Sequence, residues 1–332
     1  MARFVGIDVI KQIWETEQPP DFYYTLYVHV PYCYQKCAFC RYHIYNIKNF
    51  EQLDTWIDRI KMEIDIYKKI LDLRQITFKA LSIGGGTPTL LNPDRLEKLY
   101  NMLYNSFNIE ADMNTIEASP DTLSESKMKA LRNLGVNRIS IGIETFDSNI
   151  LKLENRIIHP FPKQVISEAR RYFSHVNVDL LYGLKRQTGD TLLEDVNTTA
   201  QCGATSITIY SIMERKITYG SKFGDHVRRV LNKANLSGYT LENIGNNDFA
   251  FIKEKINRYK FWYELCPYCC TNNIGLGFKA NSWNMASEKL YTSTEAPDRF
   301  FLQDGIHWAE SSFETARFMR KNKELAKKIL SF

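Results

Sequence analysis

The sequence predicts an α/β protein, a partial (β/α)6 barrel of TIM type with a short, mostly helical C-terminal extension. Three observations predict it. Six short runs rich in Ile, Val and Leu recur through the first two thirds of the 332-residue chain, as expected of parallel strands covered by helices. Longer stretches with helical spacing separate most of them. Residue types that carry chemistry gather where the runs end, the face on which such barrels build their sites.

The strand candidates are "YTLYVHV" (Tyr24 to Val30), "KALSIGG" (Lys79 to Gly85), "MNTIEAS" (Met113 to Ser119), "NRISIGIE" (Asn137 to Glu144), "VNVDLLYG" (Val176 to Gly183) and "SITIYSI" (Ser206 to Ile212). The clearest helix is Glu51 to Leu73, with Leu53, Trp56, Ile57, Ile60, Ile64 and Leu71 on one face. Others are Pro93 to Asn105, Ser124 to Leu134, Pro162 to Phe173 and Leu192 to Cys202. Asp94 and Ser124 stand where helix starts want side-chain acceptors, and Gly135 and Gly203 where left-handed caps follow. Residues 1–22 read as an N-terminal extension, 23–213 as the barrel, and 214–332 as a less regular region that covers its open side and shapes the substrate site.

Composition narrows the function. With 44% hydrophobic and 24% charged residues the chain is of ordinary globular type. The net charge of +5 comes from scattered basic residues, which argues against a nucleic-acid partner. The N-terminus lacks a secretory leader's apolar run and no later stretch suits a membrane span, so a cytoplasmic location is expected. Cysteines grouped in such a chain suggest metal or catalysis before disulfides.

Three of the seven cysteines stand close together in "YVHVPYCYQKCAFCRYH". Cys33, Cys37 and Cys40 have the spacing C-x3-C-x2-C, and a short loop can aim three thiolates at one cluster. Three ligands leave one iron of a cubane open for a cofactor or substrate. A zinc site with a remote fourth ligand and three merely packed cysteines are the alternatives.

Around this loop the chain resembles the radical S-adenosylmethionine (SAM) enzymes, and within them the oxygen-independent coproporphyrinogen III oxidase (HemN/HemW-like) branch. The likeness rests on "YVHVPYCYQKCAFC", "GGGTPTLL", "IEASPDTL", "LRNLGVNRISIGIETFD", "VDLLYGL..QT" and "GLGFKANS", in the family's order from about Tyr24 to Ser282. It implies that Cys33, Cys37 and Cys40 hold a [4Fe-4S] cluster whose open iron binds SAM and cleaves it to a 5′-deoxyadenosyl radical. Tyr27 and Phe39 would cover the cluster or stack adenine. Gly84, Gly85, Gly86 and Thr87 would let backbone approach the cofactor, as their position after the second strand favours, with an ordinary tight turn as the alternative. Glu117 would meet the cofactor's polar groups, and Ala280 lies in the family's last motif.

Members of the branch can bind two SAM molecules, and the second-site positions correspond to Phe39, Gly86, Thr87, Glu144, Arg156 and Asp179. The porphyrin enzymes usually carry glutamine where Glu144 stands. For Arg156 the plain alternative is a solvated helix-end charge. Lys185 and Arg186 replace the family's Pro-Gly and face either an anionic substrate or solvent.

Three departures bear on the reaction. Tyr42 stands where the oxidases have a fourth cysteine, and only about fifty residues follow "GLGFKANS", where the oxidases and haem chaperones continue into a helical domain. The third is "ELCPYCCTNN", in which Cys266, Cys269 and Cys270 would serve as an auxiliary metal site, a redox dithiol or a relay, or be incidental. Branch members without the porphyrin features resemble C-methyltransferases and cyclopropanases. The leading expectation is therefore one-carbon transfer from a second SAM to a small unsaturated substrate, with Glu144, Cys266, Cys269 and Cys270 taking part in the chemistry. Tetrapyrrole decarboxylation and haem chaperoning are the alternatives. A flavodoxin- or ferredoxin-type reductant is implied by the family alone.

Overall fold

The computed structural model describes residues 3–5, 11, 14, 23–73, 75–212, 221–234, 236–245, 248–253, 271–284, 289–293 and 308–310. Cys266, Cys269, Cys270 and most of the two terminal regions lie outside them. The chain forms two compact units, one from residues within 1–32, 47–115 and 258–332, the other from 33–46 and 116–257.

All six expected strands form. They are β1 (Tyr23–Val30), β2 (Thr77–Gly85), β3 (Asn108–Ala118), β4 (Arg138–Glu144), β5 (His175–Tyr182) and β6 (Ser206–Ser211). Parallel ladders join β1 to β2, β4 to β5 and β5 to β6, with Leu26 opposite Leu81, Ile139 opposite Val176 and Val178 opposite Ile207. Successive parallel strands need crossovers, and the helices supply them. These are α1 (Glu51–Ile70), α2 (Pro93–Ser106), α3 (Glu125–Asn133), α4 (Ser148–Leu153), α5 (Pro162–Tyr172) and α6 (Gly189–Gln201).

The expected face of α1 is buried from Leu53 to Ile64, and Leu71 caps the helix. Ser124 caps α3 as expected, its hydroxyl accepting from the Lys127 amide at 3.3 Å. Asp94 does not cap α2. Asn92, one residue before Pro93, accepts from the Arg95 amide at 3.0 Å, because proline needs no partner at the first helical position. Gly135 and Gly203 adopt φ of 84° and 86°, left-handed as the cap positions require. Cys202, at the end of the last of the expected helices, is half-buried.

The described part of the C-terminal region is mainly strand, where the sequence suggested helix. It contains α7 (Ser221–Leu231), β7 (Tyr239–Gly245), β8 (Asp248–Lys253), β9 (Thr271–Leu276) and β10 (Asn281–Asn284). In the second unit β8 pairs antiparallel with β6 and β7 with β8. In the first, β9 lies parallel to β1, with Ile274 opposite Leu26. Runs as short as "DFAFIK" are ambiguous between helix and strand by periodicity alone. Among the described residues no helix is long and apolar enough to cross a membrane.

Candidate active site

Within the first unit, β1 and β2 end side by side, and the glycine turn is shaped by its neighbours. Gly85 has φ of 114°, and a Cβ there would sit 2.7 Å from the His29 imidazole and 2.9 Å from the Val30 carbonyl. Gly86 donates to Val30 O and Thr87 to Tyr32 O, both at 2.8 Å. The fold itself thus demands glycine at position 85, whatever ligand the turn meets. Tyr27 Oη lies 2.9 Å from His29 Nδ1. Ala280 is buried and closes a turn onto Gly277 O at 3.0 Å.

In the second unit Cys37 is buried while Cys33 and Cys40 are partly exposed. Among the described residues no three His, Cys, Asp or Glu side chains converge as ligands of one ion. A donor set of three soft thiols on one short loop suits a cluster, in which each thiolate takes a different iron. Burial pushes the Cys37 thiol up, and the neighbouring Arg156 opposes that rise. A cation there favours the thiolate that a metal centre needs. The residues present therefore fit an iron–sulfur group. Phe39 packs against Ile150, Leu181 and Leu184 beside the loop.

Arg156 gathers this site. Nη2 donates to Gly142 O at 2.7 Å and Ser119 Oγ at 3.2 Å, and Nη1 to Cys37 Sγ at 3.7 Å. Glu144 Oε1 lies 3.4 Å from Nη2, longer than a tight ion pair. Glu144 itself has φ of 68°, rare for a residue with a side chain, at a register shift where β4 ends. Strain of that kind persists only where surrounding structure enforces it. Its carboxyl is pushed up to about 7, chiefly by burial, against the pull of Arg156 and with help from Asp179. Gly142 has no room to spare, since a Cβ would lie 3.0 Å from Glu144 Oε1 and 3.1 Å from Arg156 Nη2.

Asp179 is held by two donors, Ser140 Oγ at 2.7 Å and Asn177 Nδ2 at 2.8 Å. Asn177 Oδ1 in turn accepts from Ser206 Oγ at 2.7 Å and Thr208 Oγ1 at 2.9 Å. Burial raises the Asp179 carboxyl, and the Ser140 bond offsets part of that. A polar network so fully satisfied fixes its carboxylate in place. Glu117 is exposed at the end of β3, where water can solvate its carboxylate.

Of the expected residues, the second unit brings together Cys37, Glu144 and Arg156, with Asp179 near enough to Glu144 to act on its charge. The first unit holds Tyr27, Gly84, Gly85, Gly86, Thr87 and Ala280. Sequence reasoning missed Ser119, Ser140 and Asn177, which orient the charged groups. Their one signal was alternation, which puts Ser140, Asn177 and Asp179 in register on neighbouring strands. It also missed Asp195 of α6, whose Oδ1 accepts the Phe146 amide at 2.8 Å, just past Glu144.

The model of the radical SAM superfamily matches residues 27–198. The heme chaperone HemW of Bacillus subtilis is 32% identical over 193 residues, covering 56% of this chain and 50% of that protein. The oxygen-independent coproporphyrinogen III oxidase of Pseudomonas aeruginosa is 35% identical over 178 residues, 52% of this chain and 38% of its own. The chain thus spans half or less of the length of these relatives. The solved coproporphyrinogen III oxidase (HemN) of Escherichia coli superposes with a TM-score of 0.77 at 21% identity, over 93% of this chain and 76% of that one, and so has the same fold. Since the family model spans just over half its length, the cysteine loop included, the chain belongs to the radical SAM superfamily.

Proposed function

We propose that the chain is a radical SAM enzyme whose Cys33, Cys37 and Cys40 hold a [4Fe-4S] cluster, and that it acts on a tetrapyrrole. The observation that carries the cofactor reading is Arg156, a half-buried cation 3.7 Å from Cys37 Sγ and 3.4 Å from Glu144. When bound, the cluster and SAM supply a 5′-deoxyadenosyl radical. Arg156 offers its guanidinium to a carboxylate beside the cysteine loop, and Asp179 offers a fixed acceptor to a ribose hydroxyl or a sulfonium. Glu144 receives a positive group best once it has lost its proton.

The substrate class rests on the relatives, which are named as oxidases of a tetrapyrrole precursor and as haem chaperones. The expectation of one-carbon transfer finds no support among them, and the tetrapyrrole alternative fits them better. The roles suggested for Cys266, Cys269 and Cys270 rest on spacing alone. An external one-electron donor of flavodoxin or ferredoxin type is part of this proposal.

Anaerobic reconstitution tests it. Reduced protein with SAM should yield 5′-deoxyadenosine, faster when coproporphyrinogen III is present, and no S-adenosylhomocysteine. Formation of S-adenosylhomocysteine in step with turnover would restore one-carbon transfer. Tight haem binding with no SAM cleavage would make the chain a chaperone. Failure to bind iron would overturn the whole reading.

A further inference from the structure

Three consecutive residues grip the cysteine loop. Glu154 O accepts the Ala38 amide at 2.8 Å. Asn155 O accepts Gln35 Nε2 at 2.8 Å, and Asn155 Nδ2 donates to Lys36 O at 2.9 Å. Arg156 reaches Cys37 Sγ at 3.7 Å. Four successive loop residues, Gln35 to Ala38, are thus each held by this tripeptide. The tripeptide is anchored in turn, for Glu154 is buried and its Oε1 accepts the Lys185 amide at 2.9 Å. Asn155 has φ of 52°, and asparagine tolerates this left-handed conformation better than any other residue with a side chain able to donate. Backbone conformation and side-chain bond both require this residue type.

We propose that Glu154, Asn155 and Arg156 form a brace that sets the cysteine loop in its ligating conformation before any metal arrives, with Asn155 as its positioning residue. Of the three, Asn155 holds the loop through both backbone and side chain. The brace also ties the loop to the segment carrying Lys185, so a ligand that moves that segment would be felt at the cysteines. The proposal's meaning for the cluster rests on the assignment of Cys33, Cys37 and Cys40. Its structural content does not.

The test uses the metal-free chain first. Cys37 is buried, so its alkylation by iodoacetamide requires the loop to open, whereas half-buried Cys202, outside the loop, serves as an internal reference. Asn155→Gly keeps the left-handed backbone and removes the donor, and Gln35→Ala removes the other bond. Each should speed Cys37 modification, read by mass spectrometry, by roughly threefold, the factor a modest hydrogen bond is worth. Cys202 should react at the wild-type rate. An unchanged Cys37 rate in both variants, or equal acceleration at Cys202, overturns the brace. After reconstitution the same variants should lose iron to a chelator faster than wild type. If wild type takes up no iron, the cluster assignment fails while the alkylation result still decides the brace.

Discussion

Among the described residues, each unit holds an arginine–glutamate pair with little exposure to solvent, and the two are built to opposite ends. In the first, Arg59 Nε meets Glu63 Oε1 at 2.6 Å along α1, and the Gly277 amide donates to Glu63 Oε2 at 2.7 Å. Both side chains are essentially fully buried. In the second, Arg156 stands 3.4 Å from Glu144 and spends its closer bonds on Gly142 O, Ser119 and Cys37. The first pair is closed on both sides by the fold. The second is loose, lies at strand ends beside a cysteine loop, and rests on a residue with φ of 68°. A buried pair saturated by its own chain is structure, whereas the loose pair, held under backbone strain, is the one proposed above to meet a ligand.

Breaking the closed pair should have the largest effect. Glu63→Ala leaves the Arg59 guanidinium buried without its partner and frees the Gly277 amide, at a cost of about 3–5 kcal/mol. Denaturant unfolding of the metal-free chain measures it. Affinity for SAM in the fraction that remains folded should be little changed.

Breaking the loose pair should do the reverse. Arg156→Met leaves Glu144 able to take up a proton, so folding stability should fall by only about 1 kcal/mol. SAM affinity of the reconstituted protein should drop by about tenfold to a hundredfold, the worth of a hydrogen bond to a charged group. Equilibrium binding of SAM checks this, and a large loss of stability with unchanged affinity would turn the second pair into a copy of the first.

The loose pair should also show in pH dependence. Glu144 is raised from 4.5 to about 7 in the folded chain. Between those values the folded state holds a proton that the unfolded state has released, so stability must fall as pH rises through the window. Arg156 and Asp179 are the charged groups that act on it, and burial outweighs both. Asp195 and Asp248, each raised to about 6, contribute to the same fall. The informative quantity is therefore the difference between wild type and Glu144→Gln. The variant should show a shallower decline between pH 5 and 7 in denaturant titrations, since only this carboxyl is removed.

The contrast also explains what could be read from residues alone. The six strands and the long helices were legible because their periodicity is a local property, and Cys33, Cys37 and Cys40 because three thiols fall within eight positions. Glu144 and Arg156 were legible through family likeness, but their geometry was not, since the positive φ at Glu144 follows from a register shift between β4 and β5. Asn155 and Asn177 were illegible for the same reason: each bonds residues brought near by tertiary packing, Lys36 in one case and Ser206 in the other. Asn92 displaced Asp94 as a cap because proline shifts where the first unpaired amide stands. The pairing of β9 could not be read because its partner, β1, lies 248 positions earlier, with Thr25 Oγ1 bonded to Asn273 Oδ1 at 2.7 Å across that separation.

A third arginine pair sharpens the comparison from the opposite side. Arg95 of α2 holds Asp54 of α1 with two parallel bonds, Nε to Oδ1 at 2.8 Å and Nη2 to Oδ2 at 2.7 Å, a better fork than Arg156 makes with Glu144. Yet 46% of the Asp54 side chain is exposed, so water competes for both partners and salt screens them. The Arg95 bond holds the Asp54 carboxyl below its ordinary range, so its contribution is present above that range and is lost as pH falls through the lowered value. Asp54→Asn should therefore cost no more than about 1 kcal/mol, should cost less in high salt, and should leave SAM affinity untouched. Denaturant unfolding at two ionic strengths reads this directly. A cost near that of Glu63→Ala would mean that bond geometry, and not burial, ranks the three pairs, and the reading of the Arg156–Glu144 pair as a ligand site would lose its physical basis.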